Sequence, residues 1–190
     1  MRAYIIEVKR TSRGPQIMLS RTHPGLLKKL FELQVPEIQE GVVEISSIAR
    51  EAGSRSKVAV WSSEERVDPI GACVGPHYMR VQAVVDELAG EKIDIVKWSD
   101  DPATYIANSL NPAKVISVAV NEAEKISRVV VPDYQLSLAI GKEGQNARLA
   151  AKLTGWKIDI KSETQAREAE QADGAPTDAP SEDQAAAEEA

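Results

Sequence analysis

The 190-residue sequence predicts an α+β fold in which one small unit, three strands covered by helices, is built twice in tandem. Three observations predict it. A turn of the form Gly-x-x-Gly, Gly141-Lys142-Glu143-Gly144, runs into an amphipathic segment and closes on Gly155-Trp156-Lys157-Ile158-Asp159-Ile160. A related passage starts at Gly75-Pro76-His77-Tyr78 and closes on Gly90-Glu91-Lys92-Ile93-Asp94-Ile95. Gly75 and Gly141 stand 66 residues apart and Gly90 and Gly155 stand 65 apart, so turn and following strand recur at one period, as repeated units require.

Residues 2–20 read as two strands, Tyr4 to Val8 and Gln16 to Ser20, joined through Ser12-Arg13-Gly14-Pro15. A lone hairpin is barely stable in water. It is therefore expected to be the end of a β-domain whose earlier strands are absent, in the C-terminal part of a longer protein or the product of a truncated reading frame. Leu26, Leu27, Leu30, Phe31 and Leu33 mark a helix that Pro36 ends. Strands follow at Val42 to Ile45 and Lys57 to Trp61, linked by a basic loop from Arg50 to Ser56. A helix starts near Asp68-Pro69, because proline suits the first helical position. After the turn, Val81, Val84, Val85 and Leu88 fall on one helical face, and Lys92 to Ile95 alternates as a half-buried strand.

The second unit retraces that path. A helix is expected around Ala103 to Leu110, strands around Val115 to Val120 and Ser127 to Val131, and a helix from Asp133 into the turn. Each unit of about 65 residues buries only about 60 per cent of its unfolded surface. The two are thus expected to pack together through the joint at Ser99 to Pro102. The divisions are residues 1–22 for the hairpin, 23–99 and 100–162 for the two units, and 163–190 for a disordered acidic tail.

Charge supports this division. The chain has 23 basic and 29 acidic residues, net −6, but from Glu163 onward there are nine acidic residues against Arg167 alone. The 22 basic and 20 acidic residues that remain leave residues 1–162 at +2, which permits nucleic-acid binding. The tail offers too little apolar bulk to offset chain entropy. A single cysteine, Cys73, excludes an internal disulfide and a cysteine-based zinc site, and it sits where a small core residue fits. With no long apolar run and no leader pattern, a soluble cytoplasmic monomer without cofactor or metal is expected.

The turn carries the chemistry. Two glycines around two residues allow a backbone path and an approach that a Cβ obstructs. Beyond Gly144 a helix begins, with Leu149, Ala150 and Leu153 on one side and Arg148 and Lys152 on another. Its start presents free N–H groups and about half a positive charge, to which Lys142 adds a full one. Such a corner binds phosphate. Helix, Gly-x-x-Gly, helix and strand is the arrangement by which KH domains clamp single-stranded RNA by its backbone. An order that opens with helix and strand and ends on a strand is that of the prokaryotic, type II KH fold.

The candidate RNA-binding residues are therefore Gly141, Lys142, Glu143 and Gly144 of the turn, with Gln145, Asn146 and Arg148 at the helix start. Within that turn the Glu143 carboxylate repels phosphate and is expected to point away. In the first unit Gly75, Pro76, His77 and Arg80 take matching places, while Arg50, Arg55 and Lys57 extend the basic surface. Trp61, Trp98 and Trp156 read as packing residues at strand ends rather than as a base-stacking platform.

Longer passages make the chain similar to the NusA family of bacterial transcription factors. They are Ser20-Arg21-Thr22-His23-Pro24-Gly25-Leu26-Leu27, Ala49 to Val60, Asp68 to Gly75, Gly90 to Ile95 and Pro132 to Gly141, all within residues 1–162. The resemblance implies a factor that rides with RNA polymerase and other transcription factors, contacts the emerging transcript, and modulates pausing, termination and antitermination. It also implies that the opening hairpin is the last two strands of an OB-type barrel. The family's polymerase-binding domain and most of that barrel are not in this sequence. Tyr78 departs from the pattern too, standing where the family's first KH turn has its second glycine, so the first turn is expected to grip RNA more weakly.

Other classes fit less well. An enzyme would need machinery that is missing here: His23 and His77 have no neighbouring nucleophile with an acidic partner, and no phosphate-loop motif exists for nucleoside triphosphates. A ribosome-associated KH protein is usually more basic over its body than +2. An accessory of RNA degradation places its KH domain before the barrel, not after a hairpin.

Overall fold

The computed structural model describes residues 1–173. It opens on a two-stranded antiparallel hairpin, β1 (Tyr4–Thr11) with β2 (Gly14–Ser20), joined by a tight turn at Ser12-Arg13. Its apolar side chains are bare: Ile5, Val8, Ile17 and Leu19 are all more than half exposed. Contacts to Glu87 and His23 fasten the hairpin to the rest of the chain, among them a bond from the Arg2 N–H to the Glu87 carboxylate at 2.8 Å. The Arg21 guanidinium meets the Glu87 carboxylate at 3.2 Å, and the Tyr4 ring stacks on His23 at 4.6 Å.

The first unit comprises α1 (Pro24–Gln34), α2 (Pro36–Gln39), β3 (Val43–Glu51), β4 (Arg55–Ser62), α3 (Pro69–Val74), α4 (Met79–Glu87) and β5 (Lys92–Lys97). Proline opens α1, α2 and α3, where a missing N–H removes no helical bond. Asp68 caps α3 by accepting from the Ile70 and Gly71 N–H groups. The basic stretch expected as a loop belongs instead to the strands. β3 continues through Arg50 to Glu51, β4 resumes at Arg55, and only Ala52-Gly53-Ser54 turns between them.

Strand β4 is central, antiparallel to β3 and parallel to β5. A parallel return needs a long crossover, which α3, the glycine turn and α4 supply. The strand reads accordingly: Ser56 through Val60 are buried without alternation, because both faces of the sheet are covered. On one face lie α1, α3 and α4, whose Leu27, Leu30, Phe31, Cys73 and Val84 pack with Val58 and Val60.

The second unit repeats the plan with α5 (Pro102–Ser109), β6 (Ser117–Asn121), β7 (Ile126–Val131), α6 (Leu136–Ile140), α7 (Gln145–Thr154) and β8 (Lys157–Ser162). Its sheet has the same order and sense, β7 antiparallel to β6 and parallel to β8. The expected α+β class and the helix, strand, strand, helix, turn, helix, strand sequence of each unit are both present.

The second unit also covers the far face of the first sheet. Leu149 and Leu153 of α7 and Tyr105 of α5 pack on Ala49, Ala59 and Val96, with Trp98 at the margin. The Tyr105 hydroxyl closes the seam, 2.7 Å from Ser47 Oγ and 3.3 Å from the Leu153 carbonyl.

The expectation of disorder from Glu163 onward fails for its first eleven residues, which form α8 (Glu163–Asp173). A reciprocal cap starts that helix: the Gln165 N–H donates to Ser162 Oγ, and the Ser162 N–H donates to Gln165 Oε1. Thr164 adds bonds from its N–H and hydroxyl to the Asp133 carboxylate. The rest of the tail, residues 174–190, lies outside the described residues.

Candidate nucleic-acid interface

The two glycine turns have one backbone shape. Gly141 (φ 77, ψ 171), Glu143 (φ 54, ψ 26) and Gly144 (φ 73, ψ 15) are matched by Gly75 (φ 74, ψ 172), His77 (φ 51, ψ 32) and Tyr78 (φ 62, ψ 13). The glycines of the second turn serve different needs. A Cβ on Gly141 would lie 2.9 Å from both Cβ and N of Asn146, so only glycine lets the turn sit this close to α7. A Cβ on Gly144 would meet nothing within 4 Å; there the requirement is the left-handed φ. Tyr78 adopts that φ despite its Cβ, at a cost of about 1–3 kcal/mol, and turns its ring to solvent with 70% exposure.

A groove of about 410 Å³ runs from this corner to the first unit. Gly141, Lys142 and Gln145 line it with Ser137, Leu138 and Pro112 on one side; Ser54, Arg55 and Lys92 line the other. The parallel register that sets Arg55 opposite Lys92 brings their two cations to one rim. Lys142 is exposed, and neither it nor Lys92 forms an ion pair among the described residues. Three cations, a glycine corner and the first turn of a helix thus converge on one open cleft, which suits a chain of phosphates.

Several candidate residues are placed otherwise than their sequence positions suggest. Asn146 borders the groove but works inward: it is 4% exposed, and its Nδ2 donates to the Leu110 and Ala139 carbonyls, each at 3.0 Å. It fastens α7 to α5 and α6. Lys57 is fully buried, with Nζ 3.2 Å from Asp94 Oδ2 and 2.8 Å from the Asn111 carbonyl, so it joins the two units instead of extending a basic surface. Burial pushes its pKa down, against the opposing pull of Asp94. The Arg50 side chain is 2% exposed, bound in a fork to both oxygens of Glu91 at 2.9 Å. Ser56 and the Gly53 N–H also bond to Glu91, and these bonds with the Arg50 guanidinium hold the buried carboxyl below its ordinary range.

Other cations are partly or fully exposed but engaged. Arg80 bonds to Glu37 and to the Ala72 carbonyl. Arg55 keeps a share of the groove while its Nε and Nη2 hold Asp94 at 2.7 and 2.8 Å. Arg148 and Gln145 reach across the seam to Glu51 at 2.6 and 2.8 Å, and the Arg148 hydrogen bond leads in depressing the Glu51 carboxyl to about 2. Glu143 is exposed, as are Pro76 and His77. Of the first unit's residues, it is the hairpin turn and the start of β5 that share the groove, not Gly75 and its neighbours. Lys92 and Ser54 escaped the sequence reading; the only signal for them was the strand pairing that sets Lys92 beside Arg55.

Paired three-stranded sheets, each backed by helices and each carrying the same corner before its last helix, define a tandem KH protein. Residues 21–98 match the family described as NusA-like first KH domain, and residues 102–168 match the NusA-like second KH domain. The chain belongs to this NusA-like KH family. It is 68% identical over 168 residues to the transcription termination/antitermination protein NusA of Halalkalibacterium halodurans, covering 88% of this chain and 44% of that protein. It is 67% identical to the protein of that name from Bacillus subtilis, over 88% of this chain and 45% of the relative. The chain therefore spans less than half the length of these relatives. A solved structure titled "Crystal structure of APE1850" shares the fold, with a TM-score of 0.53 and 23% identity over 72% of this chain and 96% of that one.

Proposed function

We propose that the chain is the RNA-holding portion of a transcription elongation factor, and that a single strand of nascent transcript lies in the groove between the second glycine turn and the first unit's hairpin. The observation that carries this is the convergence of Lys142, Lys92 and Arg55 on an open cleft beside the glycine corner. Gly141 and Gly144 let the backbone approach phosphate, Lys142 and Lys92 attract it, and Gln145 borders the path. In longer relatives this grip would serve alongside RNA polymerase in pausing, termination and antitermination. The hairpin would there complete an OB-type barrel that covers its bare side chains. Family membership among transcription factors favours a binding role over catalysis, and no helix among the described residues is long and apolar enough to cross a membrane.

The test is a titration of single-stranded RNA with the chain and two variants, Gly144→Asp and Tyr78→Asp, at several salt concentrations. Asp tolerates the left-handed backbone better than most residues, and the site is open, so the first variant is expected to stay folded. Its carboxylate would stand where phosphate must come. Affinity should fall by about tenfold or more, equivalent to about 1.4 kcal/mol. The parent's log affinity should drop with log salt by about 0.7 for each phosphate neutralised. Tyr78→Asp should cost several-fold less, because the exposed ring already keeps phosphate off the first turn. Unchanged binding by folded Gly144→Asp rejects the second turn as the clamp; equal losses reject the asymmetry.

A further inference from the structure

Where β4 and β5 end, the first unit opens a second cleft of about 340 Å³, lined by Trp61, Trp98, Glu64, Glu65 and Asp100. The two indole rings form its walls, with centroids 6.0 Å apart and planes tilted by 54°. Tyr105 stands behind Trp98 at 6.4 Å and holds that ring from the seam between the units. None of the three carboxylates forms an ion pair among the described residues, and Lys97 is the single cation in the lining. Three negative charges against one positive leave this cleft acidic.

We propose that this cleft is a docking site for an arginine side chain presented by a basic segment of a protein partner. A guanidinium fits both halves of the lining. Its flat face stacks on an indole, whose electron-rich surface attracts cations, while its N–H groups fan out in the plane toward carboxylates. Lysine meets the charge but offers no plane to stack. RNA meets the rings but not the charge, because its phosphates are repelled by Glu64, Glu65 and Asp100. The cleft is also separate from the RNA groove. Arg55 and Lys92 lie at the start of the β4–β5 pair and Trp61 and Lys97 at its end, which puts the two sites roughly 17–20 Å apart along the strand. One sheet thus presents a cationic end to nucleic acid and an acidic, aromatic end to a basic polypeptide.

The indole N–H resonances of the folded chain provide the test, with Trp156 of the second unit as an internal reference. The probe is a terminally blocked peptide alternating arginine and glycine; a peptide with citrulline in place of arginine, which keeps the shape and loses the charge, is the control. The arginine peptide should move the Trp61 and Trp98 signals saturably, leave Trp156 unmoved, and bind at least about tenfold more tightly than the citrulline peptide. The combined Glu64→Gln, Glu65→Gln and Asp100→Asn variant should weaken binding by about tenfold, the modest sum expected from losing three exposed ion pairs. The proposal is overturned if the three indoles respond alike, if citrulline serves as well as arginine, or if single-stranded RNA shifts Trp61 and Trp98 more tightly than the peptide does. Because the peptide comparison uses the native chain, it decides the matter even where the triple variant fails to fold.

Discussion

Asn146 shows how a polar residue at a helix start can work inward. Its two donated bonds complete the Leu110 and Ala139 carbonyls, while its Oδ1 is the sealed side-chain polar atom that lacks a partner among the described residues. Leaving buried carbonyls unpaired costs about 1–3 kcal/mol. Asn146→Ala should therefore lower unfolding stability by about 2 kcal/mol in a denaturant titration. Local sequence could not reveal this, for Leu110 lies 36 residues earlier and reaches Asn146 only when α5 and α7 pack. Arg50 and Lys57 were obscured in the same way. Their carboxylate partners arrive about 40 residues later, Glu91 just before β5 and Asp94 within it, so a tally of charges along β3 and β4 reads Arg50 and Lys57 as surface cations although both are buried. Gly141 and Gly144 were legible as turn residues because the backbone path itself requires them.

Among the elements, α7 has the heaviest duties. Gln145 begins it at the groove, Ala150 faces its own unit's core, and Leu149 and Leu153 fill the seam against the first sheet. Leu149 is fully buried, so Leu149→Ala should destabilise the protein by about 2–5 kcal/mol, with the loss visible as a lowered denaturant midpoint. Periodicity exposed this helix and most others, and alternation exposed β5. It failed where strands run past their apolar stretch, as at Arg50 and Arg55, because ladder pairing rather than hydrophobic pattern sets those ends. It failed at α8 for the opposite reason. That helix has almost no apolar face, yet Ser162 and Gln165 carry the cap signal three residues apart.

For the whole molecule, the decisive fact is that charge is neutralised internally. Arg50, Arg55, Lys57, Arg80 and Arg148 all face carboxylates, so much of the basic charge of the first unit and the seam is spent inside the protein, while Lys92 and Lys142 line the groove without an ion pair among the described residues. The Glu51 tie to Gln145 and Arg148 also links the units, and its pH response can be read from the depressed carboxyl. A carboxyl lowered from 4.5 to about 2 contributes stability that is fully present above pH 4.5 and is lost as pH falls through about 2. Thermal melts between pH 7 and 2 should lose this contribution over that window, and Glu51→Gln should make the descent shallower. Two repeated units were plain from the 66-residue period; which face of one meets the other was not, since Ala49, Ala59 and Val96 read as ordinary interior residues of a single sheet.

The same α7 that begins at the glycine corner roofs the neighbouring sheet, and this limits how freely the halves can be exchanged. A chain cut at the joint would turn Ala49, Ala59 and Val96 into water-facing residues, while grafting a foreign second module would require the helix after its glycine corner to match that oily floor as well. The proposed grip and the scaffold's integrity are thus inherited through one short rod, and neither can drift far without the other.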